Sequence, residues 1–400
     1  MKITDIRTMV LVGPDAHGIG GKSRDWHVLI VRIDTDEGIY GLGEAAHFQR
    51  QTIGVRRLIE GTMKQYLVGK SPFAIRPFVT DMFFGGLPPH QPSMSPTVTS
   101  VGPVAWAVSG LEMALCDLVG KALNTPVYNL FGGQYRDRLL VYLDRSTPAN
   151  LDDLDAWREL ALAAKASGFT DIKFDLDFAA ADASIDAWNR SIPLPQMNKM
   201  VERLTAVREA VGWEMEIAVD CHMHYDVNSA VRLARELAPL KLKWFEDPTP
   251  IVNPDACAAV RQQSPIPICV GEMFTAEQFR LFIDRGACDI IHPDILFAGG
   301  LHETRKIADY ADLHHIPMAM HNNSCALGVI ACAHVAAASP NFIGLEYHFH
   351  DAPWIGEVVD RGGRPLFENG HIVLTNEPGL GVVLNEDICR QHLAPGEKMF

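Results

Sequence analysis

The chain lacks the features that mark secreted, membrane-spanning and disulfide-stabilised proteins. Its 400 residues contain only eight cysteines, which are scattered and include no CxxC pair. This usage predicts reduced, mostly buried thiols in a cytoplasmic protein. The amino-terminal stretch MKITDIRTMVLVG has too short an apolar run for a signal peptide and no small-residue cleavage site after it. No apolar run approaches the ~20 residues of a membrane span.

Positive charge is also scarce. The chain has 35 Lys and Arg against 49 Asp and Glu, a net charge of −14. Such a surface repels phosphate backbones and anionic lipid, so we expect no nucleic-acid or membrane partner. An anionic substrate would then need a local positive centre, such as a bound cation. Apolar residues make up 48% of the chain, which is enough for a large core and argues against disorder.

The chain changes character near residue 138. Before it, the pattern predicts a hairpin-like strand pair at 26–34 and 39–46, and a strongly apolar helix at 104–123. After it, short strands alternate with amphipathic helices, which predicts an α/β fold with a parallel sheet closed into a (β/α) barrel. The predicted strands span 139–145, 171–177, 215–222, 242–248, 267–273, 289–295, 316–322 and 342–348.

Nearly every predicted barrel strand ends in a polar or ionisable residue. From Asp220 onward these residues recur at steps of 22 to 27, about the length of one βα unit. We therefore expect them to gather at the carboxyl-terminal mouth of the barrel, where such enzymes place their sites. The set comprises Lys173, Asp220, Glu246, Glu272, Asp294, His321 and Glu346.

Three of these residues, Asp220, Glu246 and Glu272, come from consecutive strands. Converging carboxylates repel one another, and a hard divalent cation relieves that repulsion. All-oxygen ligation suits Mg²⁺, with positions left open for substrate and water. Each carboxylate taken alone fits a strand-end cap or salt bridge better than a metal ligand, but the matched positions of all three favour the metal.

Asp294 and His321 end adjacent strands. A carboxylate beside an imidazole fixes its tautomer and raises its basicity, as in a general base, although a hydrogen-bonded core histidine is an open alternative. Glu346 ends the next strand. If its site keeps it protonated, it can donate a hydrogen bond to a substrate oxygen; a strand-end salt bridge is the alternative.

The stretch AVDCHMHYD, 218–226, concentrates possible metal ligands. Strand side chains alternate, so Asp220 and His222 should face the same way while Cys221 turns into the core. His222 then serves as a second acid/base or contacts substrate. HMH also matches the HxH motif of zinc hydrolase barrels, but the later strand ends are mostly carboxylates, which disfavours a histidine-rich zinc site.

The chain resembles the enolase superfamily, in its mandelate racemase-like branch, over essentially its full length. The stretches that carry the resemblance are TDEGIYGLGEA, GLEMALCDLVGKALNTPVYNLFGG, VDCH, WFEDP, GEMF, HPDILFAGGLHETRKIADYA and MHNNSCALGVIACAHVA. The resemblance implies a modified TIM barrel with an α+β capping domain built from both termini. We place the amino-terminal part of the capping domain at 1–130, the barrel at 131–357 and the returning tail at 358–400.

The resemblance also implies a reaction. Mg²⁺, with Mn²⁺ as a possible substitute, would be held by Asp220, Glu246 and Glu272, and the proton α to a carboxylate would be removed through a metal-stabilised enediolate. Racemases of this branch carry Lys-x-Lys, but here the motif is Lys173-Phe174-Asp175. His222, following the first ligand, is similar to the general acid of galactonate and gluconate dehydratases.

We therefore expect dehydration of a sugar acid to a 2-keto-3-deoxy acid. The Asp294–His321 pair would be the base, and Lys173 and Glu346 would hold the carboxylate and enediolate. A racemase, epimerase or cycloisomerase working through the same enediolate is the alternative.

The sugar acid itself, an aldonate or an aldarate, is not predicted. Candidate contacts to this small-molecule carboxylate are Lys22, Arg24, Asp175, His348 and Trp354. Solvated loop charges are the favoured interpretation of Lys22 and Arg24. The resemblance implies a homo-oligomer, from dimer to octamer.

Overall fold

The computed structural model describes residues 1–14, 25–45, 52–84, 101–145, 147–148, 150–176, 188–348 and 352–400. It begins with an antiparallel three-stranded sheet in the order β1-β2-β3. The strands are β1 Ile3–Pro14, β2 Asp25–Thr35 and β3 Tyr40–Ala45. β2 and β3 form the predicted hairpin, and Gly38, with a φ of 77°, lies in the turn between them, where a side chain would be strained.

Four helices follow this sheet. They are α1 Thr52–Leu58, α2 Lys64–Leu67, α3 Ile75–Phe84 and α4 Pro103–Ala122, with a π-helical turn, Ile59–Met63, between the first two. By length and composition α4 could cross a membrane. That corrects the expectation that no apolar segment reaches this length. The apolar composition of α4 instead reflects its place in the core, because 89% of its most apolar window is buried inside the protein.

The β3 strand lies unusually close to α4. An added Cβ on Gly41 would lie 2.0 Å from the carbonyl oxygen of Ala114, and one on Gly43 would lie 2.1 Å from that of Gly110. Residues 41 and 43 share one face of the strand, so that face meets the helix backbone without intervening side chains. The two glycines are therefore required for the distance between sheet and helix.

Eight parallel strands follow, and all eight correspond to strands predicted from the sequence. They are β4 Arg138–Arg145, β5 Asp171–Asp175, β6 Glu216–Asp220, β7 Phe245–Glu246, β8 Ile268–Val270, β9 Ile290–Ile291, β10 Met318–Met320 and β11 Phe342–Tyr347. Each strand pairs with the next, and β11 pairs back onto β4. The predicted fold class, a closed (β/α) barrel with a capping domain, is confirmed.

The helices between the barrel strands cover the outside of the barrel. They are α5 Leu154–Ala166, α6 Leu194–Val211, α7 Val227–Leu237, α8 Pro254–Gln263, α9 Ala276–Asp284, α10 Ile295–Ala298, α11 Leu301–Leu313 and α12 Ala326–Ala338. The barrel interior holds a separate small cluster formed by Tyr142, Ala218, Trp244, Cys269, Ile290 and Ala319. All eight cysteines are free and buried, as expected from their scatter.

Most barrel strands are shorter than the sequence pattern predicts. β6 ends at Asp220, and the next two residues, Cys221 and His222, were expected to continue it. His222 and Met223 instead have φ values of 42° and 62°, which a strand cannot accommodate. Strict alternation therefore does not extend past Asp220, although Cys221 is fully buried as predicted.

The carboxyl-terminal residues contact both parts of the fold. β12 Val359–Asp360 pairs with β14 Val383–Leu384, and β13 His371–Val373 pairs antiparallel with β4. After helix α13, Glu386–Gln391, the chain reaches β1, where Leu393 forms a bridge with Leu11.

We predict that Gly43→Ala lowers the free energy of unfolding by about 3 kcal/mol or more, because the new methyl group meets backbone atoms that have no rotamer to change. Gly54→Ala is the matched control. Gly54 lies in α1, and an added Cβ there meets nothing within 4 Å. This control should be neutral or should stabilise the protein by up to about 1 kcal/mol. Equal unfolding free energies of the two variants by urea denaturation would contradict the prediction.

Candidate active site

The predicted polar strand ends do converge at one mouth of the barrel. Asp220 and Glu246 end β6 and β7, and Glu272 lies two residues beyond the end of β8. One oxygen from each of these three carboxylates lies within 4.8 Å of the others. We call this group the carboxylate trio. Asp220 and Glu246 are buried, and the Glu272 side chain is 12% exposed.

Lys173 supplies the positive charge nearest to the trio. It extends from β5 and is only 1% exposed. Its Nζ lies 2.9 Å from Glu246 Oε1, 2.9 Å from Glu346 Oε1 and 3.5 Å from Asp220 Oδ2. Although burial lowers the pKa of Lys173, the charges of Glu246 and Glu346 raise it well above its ordinary value. Lys173 is therefore a fixed ammonium among carboxylates.

Glu346 is ionised in this arrangement. Burial raises its pKa, but the Lys173 charge, followed by that of His321, lowers it well below the ordinary value. Its Oε2 also accepts hydrogen bonds from the Asn322 backbone N–H and the Tyr142 hydroxyl, both at 3.2 Å. Of the two interpretations left open for Glu346, the arrangement favours the salt-bridged anion over a protonated hydrogen-bond donor.

The Asp294–His321 pair is formed as expected. His321 Nδ1 lies 2.7 Å from Asp294 Oδ2, and the other carboxylate oxygen accepts the backbone N–H of Leu296 at 2.6 Å. His321 Nε2 is 3.3 Å from Glu272 Oε2, so the free side of the ring faces the trio. Burial lowers the pKa of His321, but the charge of Glu346 and the hydrogen bond to Asp294 outweigh it and raise the pKa.

His222 approaches the trio beside Asp220, whereas His321 approaches it beside Glu272. The backbone N–H of His222 donates to Asp220 Oδ1 at 2.7 Å, and its Nε2 lies 3.4 Å from Asp220 Oδ2. The side chain is 39% exposed, so it can meet a ligand from the open side of the mouth. His222 thus takes the predicted place beside Asp220, but through a turn and not through strand alternation.

The other residues predicted to contact substrate divide into three groups. Asp175 forms a cluster with Asp220 and His222, and His348 contacts Glu346 Oε1 at 3.2 Å. The Trp354 ring stacks on His392 with centroids 4.2 Å apart, and its N–H donates to the carbonyl of Pro14. Lys22 and Arg24 lie outside the described residues.

The sequence prediction missed a layer of hydrogen bonds beneath the trio. His292 Nδ1 donates to the carbonyl of Ala319 at 2.9 Å, which leaves Nε2 facing Glu246 Oε1 at 3.0 Å. Because Nε2 faces a carboxylate, it must also carry a proton, so both ring nitrogens are donors. Burial lowers the pKa of His292, but the charge of Glu246 raises that pKa well above its ordinary value. Trp244 donates to the other oxygen of Glu246 at 2.8 Å. His292 precedes Asp294 by two residues in HPD, a spacing that could have indicated it.

Asp144 was also missed. It lies beside Lys173 in the β4–β5 register, and its Oδ2 is 3.3 Å from His348 Nε2. The strand LLVYLDR places it at a strand end like the others, which was the available signal. Asp144 and Glu346 both contact the same nitrogen of His348, Nε2.

The donor set fits a hard divalent cation. Burial and then the neighbouring charge of Glu246 raise the pKa of Asp220 well above its ordinary value. Burial, Glu272 and Glu246 do the same for Asp247, whose two side-chain oxygens are buried and have no hydrogen-bond partner among the described residues. This surplus of buried carboxylate oxygen is the environment that Mg²⁺ ligation requires. Asp220, Glu246 and Glu272 are the residues that could hold it.

Comparison with known proteins agrees with this geometry. Residues 20–132 match the family model described as mandelate racemase / muconate lactonizing enzyme, N-terminal domain, and residues 156–388 match the enolase C-terminal domain-like family. A solved mandelate racemase/muconate lactonizing enzyme-like protein from Rubrobacter xylanophilus is 34% identical. It superimposes with a TM-score of 0.88 and covers 100% of this chain and 99% of its own.

Two curated relatives have named activities. A D-xylonate dehydratase from Haloferax volcanii is 38% identical over 400 residues, covering 100% of this chain and 90% of its own. A D-galactonate dehydratase family member from Oceanicola granulosus is 28% identical over 422 residues, covering 99% and 96%. Dehydratases are carbon–oxygen lyases, and this is the enzyme class of the chain. It belongs to the enolase superfamily, in the family of mandelate racemase and muconate lactonizing enzyme.

Proposed function

We propose that this chain is a Mg²⁺-dependent dehydratase of a sugar acid, converting an aldonate or aldarate to a 2-keto-3-deoxy acid. The observation that carries the proposal is the approach of two imidazoles to different members of one carboxylate trio. His321 Nε2 is 3.3 Å from Glu272, and His222 Nε2 is 3.4 Å from Asp220. A carboxylate substrate bound at the trio therefore has a proton acceptor and a proton donor within reach on neighbouring atoms.

The two proton transfers balance as an elimination of water. His321 Nε2 accepts the proton from the carbon next to the carboxylate, because its Nδ1 is engaged by Asp294. His222 gives a proton to the hydroxyl on the following carbon, whose carbon–oxygen bond breaks as water leaves. The resulting enol takes a proton on the third carbon and loses its hydroxyl proton, which gives the 2-keto acid.

The negative charge formed on the carboxylate during proton removal must be stabilised. A divalent cation held by Asp220, Glu246 and Glu272 would supply Lewis-acid stabilisation of that charge when bound. Lys173 adds a fixed positive charge, preorganised by its contacts to Glu246 and Glu346. Asp175 stands where racemases of this branch have a second lysine, which disfavours a two-base racemisation.

The remaining residues contribute to the shape of the site. His348, between Asp144 and Glu346, is proposed to bind a substrate hydroxyl. The relatives named D-xylonate dehydratase and D-galactonate dehydratase family member support a sugar acid of five or six carbons as the substrate. We further propose that the active form is a homo-oligomer acting on a free small molecule, with no nucleic-acid or membrane partner.

The first prediction concerns the reaction. A screen of aldonic and aldaric acids with Mg²⁺, beginning with D-xylonate and D-galactonate, should yield a 2-keto acid detected as its semicarbazone. Chelation should abolish the product, and added Mg²⁺ should restore it. If no acid yields a 2-keto acid and none exchanges its α-proton with deuterated water, the proposed function is wrong.

The second prediction concerns the metal and requires no substrate. Mg²⁺ at 100 times its dissociation constant should stabilise the wild-type protein by about 2.7 kcal/mol in thermal unfolding. Asp220→Asn should lose most of this response, because it removes one of three ligands. Asp294→Asn is the matched control, since Asp294 is equally buried at the same mouth but lies outside the trio. Calorimetric Mg²⁺ binding that is unchanged in Asp220→Asn would exclude this site.

The third prediction separates the two imidazoles. His222→Asn should lower dehydration by about 10²- to 10⁴-fold, the usual contribution of one general acid. It should leave α-proton exchange measurable by NMR in deuterated water, because His321 and Asp294 are untouched. His321→Asn should lose both. Dehydration at wild-type rate in His222→Asn would show that this histidine is structural.

A further inference from the structure

Both members of the Asp294–His321 pair lie on loops that lead directly into helices facing the capping domain. Asp294 is followed by α10, by Gly299 and Gly300, and then by the amino terminus of α11. His321 is followed by residues 322–325 and then by the amino terminus of α12. The first backbone N–H groups of a helix have no partner within the helix, so each terminus needs acceptors from elsewhere.

Glu44, the penultimate residue of β3, supplies the acceptor at α12. It is fully buried. Its Oε1 accepts the backbone N–H of Cys325 at 2.9 Å, and its Oε2 accepts that of Gly328 at 3.1 Å and the Cys325 thiol at 3.0 Å. A carboxylate from the capping domain thus holds the backbone four residues after His321.

Glu112, in the middle of α4, does the same at α11. It is also fully buried, and its two oxygens accept the backbone N–H groups of Leu301 at 2.7 Å and His302 at 3.1 Å. The hydroxyl of Ser109, one turn earlier, accepts the N–H of Gly299 at 3.1 Å. An added Cβ on Gly300 would lie 2.2 Å from Glu112 Oε2, so the close approach depends on glycine there.

The loop after His321 is held at its other end by the barrel. The Asn322 backbone N–H donates to Glu346 Oε2 at 3.2 Å, and the Ser324 hydroxyl donates to the Asn322 side chain. Residues 322–325 are therefore fixed between an acceptor in the barrel and an acceptor in the capping domain. These few residues connect Glu44 to His321 through the backbone, and the charge of Glu44 also interacts with that of Asp294.

We propose that Glu44 and Glu112 are positioning residues, through which the docked capping domain aligns His321 and Asp294 for proton removal. The inference rests on the proposed role of this pair as the base. Each carboxylate fixes the backbone that follows one member of the pair. Glu44 does so after His321, and Glu112 does so after Asp294. Misplacement of a catalytic group by about 1 Å can cost about 100-fold in rate.

The test compares Glu44→Gln and Glu112→Gln with Asp117→Asn. Asp117 is an equally buried carboxylate of α4 that also accepts two backbone N–H groups, those of Leu42 and Leu380, each at 2.8 Å. Neither group lies on a loop that carries His321 or Asp294. The control therefore has the same kind of burial and the same number of backbone contacts, without the connection to the base.

Assays use the Mg²⁺-loaded full chain at pH 8 and below each variant's melting temperature. Burial raises the pKa of Glu44 to about 7, so pH 8 keeps the wild-type carboxylate ionised. We expect kcat per folded molecule to fall about 10- to 100-fold in Glu44→Gln and Glu112→Gln, with KM changed little. The isotope effect with α-deuterated substrate should rise, because proton removal becomes slower than the other steps. Asp117→Asn should keep the wild-type kcat per folded molecule and isotope effect, even if it melts at a lower temperature.

A second measurement requires no substrate. The Nδ1 proton of His321, hydrogen-bonded to Asp294, should give a downfield NMR resonance that moves in both glutamine variants and stays in place in Asp117→Asn. If a glutamine variant does not fold, Ser109→Ala removes only the hydroxyl that accepts the Gly299 N–H. It should raise the isotope effect in the same direction.

The inference is overturned if Glu44→Gln and Glu112→Gln match Asp117→Asn in kcat per folded molecule, in isotope effect and in the His321 resonance. A wild-type protein that neither dehydrates a sugar acid nor exchanges its α-proton is a different result. It removes the proposed function, while the His321 resonance still reports whether the two carboxylates align the pair.

Discussion

The structure depends on the stabilisation of a large number of buried carboxylates around a single lysine. Lys173 contacts Glu246 and Glu346 at 2.9 Å and lies 3.5 Å from Asp220. One ammonium cannot balance so many buried anions, and unpaired buried charge is strongly unfavourable. The protein therefore adds a protonated His292, the Trp244 N–H, the Tyr142 hydroxyl and backbone N–H groups beneath them. Negative charge around Asp220 and Asp247 remains incompletely compensated, and a divalent cation bound at this mouth would be stabilised by it.

The sequence was sufficient to predict the barrel and the residues at its mouth, because both follow from local patterns. Each strand is a short apolar segment, and each functional residue closes one, so parallel strands bring Asp220, Glu246 and Glu272 together. The turn at His222 was not predictable from alternation, since two successive residues with positive φ depend on N–H contacts to neighbouring strand ends. Trp354 was assigned to the substrate from its loop, and its stacking on His392 is a contact that the sequence pattern could not indicate.

Contacts between distant parts of the chain are what the sequence pattern could not show. Glu44 and Cys325 are 281 positions apart, and Glu112 and Leu301 are 189 apart. In the sequence Glu44 is a polar residue at the end of a strand, and Glu112 is one of three charged residues, with Asp117 and Lys121, in an otherwise apolar helix. Neither spacing nor composition indicates that they cap two barrel helices. Their burial and hydrogen bonds show that the capping domain is joined to the barrel by polar contacts as well as by apolar area.

The bridge between Leu11 and Leu393 has a consequence for biosynthesis. β1 is an edge of its sheet, and an unpaired edge can template association with another chain. Its partner is translated 382 residues later. At a translation rate of about 5 to 20 residues per second, that edge stays without this partner for roughly 20 to 80 seconds. During this interval the nascent chain exposes a strand edge that the segment around Leu393 covers in the folded protein. This is therefore the period in which a chaperone that binds exposed strand edges would act on the chain.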